Sequence, residues 1–351
     1  MDFEHIATHT PNLASRILGA SVMFANDESF GEKENLVLDS VPDFTPGLFG
    51  HKGEIVDGWE TRRRRVEGFD WAIIRLGAPG TITALDVDTS FFTGNFPSSC
   101  WIEATSNETQ PGVEELTGEE TTWVTLVPDT KLVGGTHNWF EVSREFSSKR
   151  FTHLRLNISP DGGVARLRAY GEVVINPIDV AGLTVDLASR NLGGRVISSS
   201  NDFFSNAHSL NMPNLAQNMG DGWETARRRT PGKDWAIIRL AAPGVLKCVE
   251  VDTSYYVYNA SKEFSLHALS SEVDPKADSL EWKEIIPVTR LRPDNHHRIR
   301  IDLAQVYTHV RIDVFPDGGI SRLRLVGEVS NTDKITSDYI QSLPMKSHLL
   351  P

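Results

Sequence analysis

Two copies of the motif Asp-Gly-Trp-Glu-Thr, residues 57–61 and 221–225, each combine a carboxylate with a turn signal. Asp-Gly favours a turn, Thr caps turns well, and the Trp is expected to be a buried anchor. Glu60 and Glu224 are less easily explained by local structure. A glutamate beside arginines is expected to stay ionised, and it can then orient a polar substrate or act as a general base. Both are candidate catalytic residues.

A run of arginines follows each motif, at residues 62–65 and 227–229. Such a run usually forms a solvated face, and these two are short and contain no interleaved aromatic residues. Two interpretations stay open: a local network of ion pairs, or the bidentate binding of one small anion. The candidates for anion binding in the two runs are Arg63, Arg64, Arg227 and Arg228.

Charged residues also recur on one face of several predicted strands, because side chains alternate along a strand. Asp86 and Asp88 lie opposite Leu85 and Val87, and we expect Asp86 on a solvent-exposed outer face. Asp88 and its counterpart Asp252 are stronger catalytic candidates, since each ends a strand where polar loop residues follow. Further candidates for substrate contacts are Arg75, Thr89, Asn95, Arg166, Arg168, Arg239, Asn259, Arg322 and Arg324.

One histidine in each copy, His137 or His296, lies in polar loop sequence and is a candidate for proton transfer. The spacing of the surrounding residues does not indicate a metal site, so we expect no metal or other cofactor, although a divalent metal is not excluded. His153 and His309 lie within strand-like runs and are expected to be structural. The motifs of zinc proteases, P-loop NTPases, dinucleotide enzymes and α/β-hydrolases are absent from the sequence.

These residues are positioned by an internal duplication. Residues 221–244 repeat residues 57–80 without a gap, and a Pro-Asp-Gly-Gly turn recurs at 160–163 and 316–319. Two long units predict a tandem pair of domains and not a solenoid of short repeats. With a short linker near Asn176, the predicted domains are residues 1–176 and 177–351.

Short strand-like segments dominate each repeat. Residues 70–76, 81–89 and 164–175 are rich in β-branched residues and are bounded by Gly, Pro, Asn or Asp. No segment of twelve residues has a convincing amphipathic helical pattern, and the polar stretches 105–122 and 270–281 are predicted surface loops. We therefore predict an all-β chain of two tandem jelly-roll sandwiches.

Composition excludes several classes of protein. The 351 residues include 35 Lys+Arg and 47 Asp+Glu, and this net charge of −12 disfavours binding to nucleic acid. Two cysteines predict neither a disulfide framework nor a structural zinc site, and they fit a reducing compartment. No segment resembles a signal peptide or a membrane-spanning helix. We expect a cytoplasmic protein that binds neither nucleic acid nor membrane.

Several motifs in the same order resemble the allantoicase family. They are Asp-Gly-Trp-Glu-Thr with its arginines, Asp-Trp-Ala-Ile-Ile-Arg-Leu, Val-Asp-Thr-Ser, the Pro-Asp-Gly-Gly turn with Arg-Leu-Arg, Asn-Leu-Ala-Ser at 12–15 and Phe-Thr-Gly-Asn-Phe-Pro at 92–97. The resemblance covers nearly the whole chain. It implies two jelly-roll repeats related to galactose-binding-like domains, a homo-oligomer, and hydrolysis of allantoate to ureidoglycolate and urea.

The implied substrate carries a carboxylate and two ureido groups on one tetrahedral carbon. Its enzyme needs a cation for the carboxylate and acid/base groups for C–N cleavage. On this resemblance three roles follow: carboxylate binding by Arg63 or Arg64 with Arg166 and Arg168, water activation by Glu60 or Asp88, and protonation of the departing urea by His137 or a carboxylic acid. The copies differ in places, so it stays open whether one repeat, both repeats or their junction carries the site.

The alternative class is a non-catalytic tandem module of galactose-binding-like domains. The arginine loops would then contact a ligand that is never turned over. Release of urea from allantoate by the purified protein separates the two hypotheses.

Overall fold

The structure, a computed structural model, describes residues 2–51 and 53–344. The chain forms two compact units. Among the described residues, the first unit comprises those up to Val174 together with residues 338–344, and the second is Ile175–Ser337. The division falls beside the predicted linker, where Asn176 caps the 3₁₀ turn Pro177–Asp179.

Strands are the main regular elements of the first unit, and their bounds are β1 Ser21–Ala25, β2 Phe49–Gly50, β3 Gly53–Glu54, β4 Trp59–Glu60, β5 Asp70–Asp88, β6 Ser99–Thr105, β7 Val124–Lys131, β8 His137–Glu141, β9 Arg150–Ser159, β10 Gly163–Val164 and β11 Arg166–Val173. The second unit repeats the long strands, with β12 Thr184–Asp186, β13 Arg195–Ser199, β14 Trp223–Glu224, β15 Asp234–Asp252, β16 Glu263–Leu269, β17 Lys283–Arg290, β18 His296–Arg300, β19 Val306–Phe315, β20 Gly319–Ile320 and β21 Arg322–Val329. The predicted all-β architecture of two sandwich repeats is confirmed.

Helices are short. They are α1 Phe3–His9, α2 Val113–Thr117 and α3 Asp333–Ser342, with 3₁₀ turns at Lys33–Val37, Pro177–Asp179, Arg190–Leu192, Ala207–Asn211 and Met219–Asp221. The stretch 105–122, predicted as a loop, contains α2, in which the side chain of Glu115 accepts from the backbone N–H of Gly112 and Leu116 is buried. Within the described residues no helix is long and apolar enough to cross a membrane.

The long strand β5 belongs to two parts of the antiparallel sheet. Its first half, from Asp70 to Arg75, pairs with β1 and β9, and β9 continues through β6 to β7. Its second half, from Ala84 to Asp88, lies between β8 and β11. The strand β15 repeats this pattern, with β13 and β19 beside its first half and β18 and β21 beside its second.

Alternation along β5 separates the core from the outer face. Ile74, Leu85 and Val87 are fully buried, and each such side chain contributes about 1.5–3 kcal/mol to folding. Trp59 is also fully buried, and its Nε1 donates to the Asp27 carbonyl at 2.8 Å, as predicted for an anchor. The carboxylates of Asp86 and Asp88, on the face opposite Leu85 and Val87, are buried as well.

Candidate functional site

The outer face of the second half of β5 brings three predicted site residues, Asp88, His137 and Arg168, together with Asp86 and Trp139, which were not predicted as site residues. Asp88 lies between His137 of β8 and Arg166 of β11, and Asp86 lies between Trp139 of β8 and Arg168 of β11. Because alternate residues of a strand share a face, these side chains all lie opposite the core. We call the group Asp86, Asp88, His137, Trp139 and Arg168 the first-repeat sheet face.

Asp86 and His137 form the central contact of this face. Nδ1 of His137 donates to Oδ2 of Asp86 at 2.7 Å. The Asp86 side chain is only 1% exposed, whereas the His137 side chain is 51% exposed. The expectation that Asp86 is solvent-exposed is wrong, because β8 and β11 flank it and the imidazole covers it. Among residues 2–51 and 53–344, none bonds Nε2 of His137, which leaves that nitrogen free to meet a substrate.

The pKa values of the pair reflect this geometry. Burial raises the pKa of Asp86, and the hydrogen bond from His137 partly opposes this shift. The hydrogen bond to Asp86, with smaller effects of the negative charges of Asp86 and Asp88, raises the pKa of His137. A histidine with a raised pKa carries its proton further into the neutral range, which suits a general acid.

Asp88 is fully buried and holds the following loop. Its Oδ1 accepts from the backbone N–H of Ser90 at 2.8 Å, and its Oδ2 lies 4.0 Å from Nδ1 of His137. Thr89 is buried too, and its hydroxyl contacts the carbonyls of Val133 and Thr136 at 2.7 and 2.8 Å. Both residues therefore fix the segment that leads into His137, and neither is open to bulk water.

The two arginines of β11 differ in their contacts. Arg166 is fully buried and donates to both carboxylate oxygens of Asp57, at 3.1 and 2.7 Å, as well as to the Asp57 carbonyl. Arg168 is half-buried, and among the described residues its one hydrogen bond is a long one of 3.4 Å to the Leu38 carbonyl. Arg166 thus uses its N–H donors in contacts within the protein, whereas Arg168 has N–H donors that form no hydrogen bond with the described residues.

The arginine run after the first motif forms internal ion pairs at two of its positions. Arg62 Nε lies 3.1 Å from Asp27, and Arg64 Nη1 donates to Asp70 at 2.6 Å. In the second repeat, Arg228 pairs with Asp234 at 2.6 Å in the same way. Arg63 and Arg227 are exposed. The ion-pair interpretation therefore describes Arg64 and Arg228, which hold their loops.

Glu60 does not lie against arginines, contrary to expectation. Its Oε1 accepts from Asn95 Nδ2 at 2.8 Å, and burial raises the pKa of Glu60, partly opposed by that bond. Glu224 accepts from Asn259 at 2.7 Å in the same arrangement. Because the bond is the same in both repeats, it is typical of a contact that holds a loop in a duplicated fold.

Arg75 and Arg239 lie on the other part of the sheet, away from the second half of β5 or β15. Arg75 donates to the Gly19 carbonyl at 3.3 Å and lies opposite His153 of β9. Arg239 Nε donates to Asp274 at 2.8 Å. The structural role predicted for His153 agrees with its burial.

The second repeat places Asp252, His296, Arg322 and Arg324 at the matching positions of β15, β18 and β21. Asp252 accepts from the backbone N–H of Ser254, as Asp88 does from Ser90, and also from the Ser254 hydroxyl. Arg322 and Arg324 donate to backbone carbonyls of a loop, at Met212, Pro213, Asn214 and Asp221. These two arginines support that loop.

Aromatic residues complete the first-repeat sheet face, and the sequence analysis missed them. The Trp139 ring stacks on Tyr170 at 5.5 Å between centroids, on Phe3 of α1 at 5.1 Å, and lies 6.2 Å from the His137 ring. Alternation would have indicated Trp139 only if His137 had been predicted in a strand, and the structure shows that both residues belong to β8. Nothing in the sequence indicates the contact of Phe3. In the described part of the chain no group of three His, Cys, Asp or Glu residues could hold a metal ion.

Comparisons with known proteins agree with a duplicated sandwich protein. The family model "Allantoicase repeat" matches residues 11–174 and 185–330. A "Probable allantoicase" of Streptomyces coelicolor is 46% identical, over 92% of this chain and 86% of that protein, and one of Rhizobium meliloti is 43% identical, over 92% and 95%. The crystal structure of allantoicase from Saccharomyces cerevisiae matches with a TM-score of 0.75 and 29% identity, over 93% of this chain and 97% of that one.

These matches span both repeats and most of each relative's length. The chain belongs to the allantoicase family.

Proposed function

We propose that the first-repeat sheet face hydrolyses allantoate to ureidoglycolate and urea. In this proposal His137 donates a proton to the departing urea and then accepts one from water. The observation that carries this proposal is the Asp86–His137 pair. Nδ1 of the imidazole is bonded at 2.7 Å to a buried carboxylate, while about half of the ring, at 51%, is exposed. A histidine oriented through one nitrogen presents the other to a substrate in a fixed tautomer.

The first step breaks a C–N bond. Protonated His137 gives its Nε2 proton to the nitrogen of one ureido group, which leaves as neutral urea. The lone pair on the nitrogen of the second ureido group forms a C=N bond to the central carbon as the first group departs. The raised pKa of His137 supports this role, because more of the ring is protonated at neutral pH.

The second step adds water to the C=N bond. The water oxygen bonds to the central carbon, and the water loses one proton to the now neutral Nε2 of His137. The product is ureidoglycolate, and His137 regains the proton that it gave in the first step. One residue therefore serves as acid and then as base, so that neither buried Asp86 nor buried Asp88 has to contact water.

Arg168 is the proposed binding group for the substrate carboxylate. It lies directly across the strand pair from Asp86 and makes one weak hydrogen bond of 3.4 Å. A guanidinium binds a carboxylate through two parallel hydrogen bonds, which fixes the distance and the orientation of the substrate. Positioning of this kind supplies much of an enzyme's rate enhancement.

The test is urea release by purified protein and by a His137→Asn variant. We expect steady turnover by the wild type and a loss of at least about 10²-fold in kcat for the variant, with its folding unchanged. Binding of allantoate by the wild type without urea release would favour the non-catalytic module.

We also propose that the reaction needs no metal, since the steps above assign every proton transfer to His137. A cytoplasmic location and a lack of nucleic acid partners are supported by the free thiols of Cys100 and Cys248 and by the net charge of −12. Self-association is proposed from the family resemblance, and light scattering coupled to gel filtration tests it.

A further inference from the structure

The two repeats place different residues at matching positions of the sheet face. In the first repeat, Asp86 lies opposite Trp139 and Asp88 lies opposite His137. In the second repeat, the same register pairs Glu250 with Arg298 and Asp252 with His296. The carboxylate and the histidine are therefore kept, while an aromatic ring is replaced by a permanent positive charge.

In the first repeat, the buried carboxylate is bonded to the histidine. Oδ2 of Asp86 accepts from Nδ1 of His137 at 2.7 Å, and no arginine donates to either oxygen among the described residues. Trp139 beside the pair is uncharged and stacks on Tyr170. The charge of Asp86 therefore acts mainly on the imidazole, and the bond fixes the neutral ring as the Nδ1–H tautomer.

In the second repeat, the carboxylate is bonded to an arginine and not to the histidine. Nε of Arg298 donates to Oε1 of Glu250 at 2.7 Å, and Nη2 of Arg298 also contacts this oxygen. His296 approaches Oε2 through Nε2 and not through Nδ1, at 3.3 Å. Nε2, which is free in His137, is thus the nitrogen that His296 directs at the carboxylate of Glu250. The guanidinium of Arg298 already neutralises that carboxylate.

We infer that the first repeat alone carries out the hydrolysis and that Arg298 is the residue that removes proton transfer from the second repeat. The carboxylate of Glu250 is bonded to the guanidinium of Arg298 and not to Nδ1 of His296, so it does not orient the ring as Asp86 orients His137. His296 also contacts Glu250 through Nε2, so this nitrogen is not available to a substrate. His296 and Glu250 are therefore outside the catalytic machinery. This inference rests on the proposed function of His137.

The kinetic experiment compares His137→Asn with the matched variant His296→Asn in the full chain, with urea release as the measurement. We expect a loss of at least about 10²-fold in kcat for His137→Asn and a change of less than about threefold for His296→Asn. Equal large losses in both folded variants would overturn the inference and leave the role of His137 intact. Near-normal turnover by His137→Asn would remove His137 from the mechanism, whereas absence of turnover in the wild type would overturn the proposed hydrolysis.

A second measurement does not depend on activity. In protein with ¹⁵N-labelled histidine, the ring nitrogen shifts report which nitrogen carries the proton in the neutral ring. We expect the Nδ1–H form for His137 and the Nε2–H form for His296, with assignments made from the two Asn variants. The same Nδ1–H form at both histidines would contradict the asymmetry between the repeats.

Discussion

Asp86 orients His137 from within the sheet: its carboxylate, 1% exposed, accepts from Nδ1 of the ring at 2.7 Å. The histidine is fixed by a strand residue and not by a loop residue, so the direction of Nε2 follows from the register of β5 and β8. A residue that acts through another in this way is a positioning residue, and its effect on the pKa of His137 can be measured separately from its effect on rate.

The first prediction concerns Asp86→Asn. The hydrogen bond and the charge of Asp86 raise the pKa of His137, so the variant lowers that pKa. Because protonated His137 starts the reaction, activity falls as pH rises through its pKa. We expect kcat to drop by about 10²-fold and the alkaline limb of the kcat profile to move to lower pH. An unmoved limb with a reduced kcat would assign Asp86 a purely structural role.

The second prediction separates the two arginines of β11. Arg168→Met is expected to lower kcat/KM by about 10–10²-fold, since a charge-assisted hydrogen bond contributes about 1.5–3 kcal/mol. Its free energy of unfolding should change little, because within the described part of the chain Arg168 makes one weak hydrogen bond of 3.4 Å.

Arg166→Met is the matched control on the same strand. It leaves Asp57 without its buried partner, and breaking such a pair costs about 3–5 kcal/mol in unfolding free energy. Urea denaturation measures both variants. If the Arg166→Met protein is stable and has a raised KM, Arg166 binds the substrate, as the sequence indicated.

The fold could be predicted from the sequence because its signals are local. Repeated segments define the two units, and alternation in β5 assigns Leu85 and Val87 to the core. The site could be predicted only in part. Asp88 and Arg168 follow from residue type and alternation, and His137 follows from residue type alone. His137 and His296 begin strands β8 and β18, so their predicted place in loops is wrong. These patterns do not show which strands are neighbours.

The errors have the same origin. Asp86 looks solvent-exposed when β5 is considered alone, yet β8 and β11 flank it on both sides. Arg166 has the same residue type as Arg168, and only the contact with Asp57, more than a hundred positions away in the sequence, distinguishes the two. Pairings over such separations are tertiary information.

The third prediction decides between the sheet face and the loop that carries Glu60. The carboxylate of Glu60 contacts Asn95 at 2.8 Å, and Glu224 repeats the contact with Asn259. If this bond only holds the loop, Glu60→Gln should reduce kcat by less than about tenfold, since an amide oxygen can accept the same bond. A loss of 10²-fold or more, measured by urea release, would place water activation at Glu60 and contradict a two-step role for His137.

The fourth prediction concerns metal removal. The proposed steps use His137 for both proton transfers, so dialysis against a chelator should leave kcat within about twofold of its starting value. The control is the chelated protein with zinc, manganese or magnesium added back. Loss of activity on chelation with recovery on adding one of these ions would show that a metal activates the water.

The fifth prediction concerns stability in acid. Burial, with a smaller effect of nearby Arg75, lowers the pKa of His153 from 6.5 to about 4 in the folded protein. The unfolded chain therefore binds a proton between these pH values that the folded protein does not bind, and the free energy of unfolding falls as pH decreases through this window. The contribution of one such group is at most about 1.4 kcal/mol per pH unit.

Replacing His153 with Gln removes this titration. We expect the variant to lose less unfolding free energy than the wild type between pH 6.5 and 4.5. This comparison does not depend on how stable the variant is at neutral pH, because proton binding determines only the slope of unfolding free energy against pH. His5 of α1 is exposed, and His5→Gln is the control for the same substitution at a surface position. Urea denaturation at several pH values gives the slopes. If His153→Gln and wild type lose stability in parallel, the ring of His153 is protonated in the folded protein and the sheet around β9 accommodates its charge.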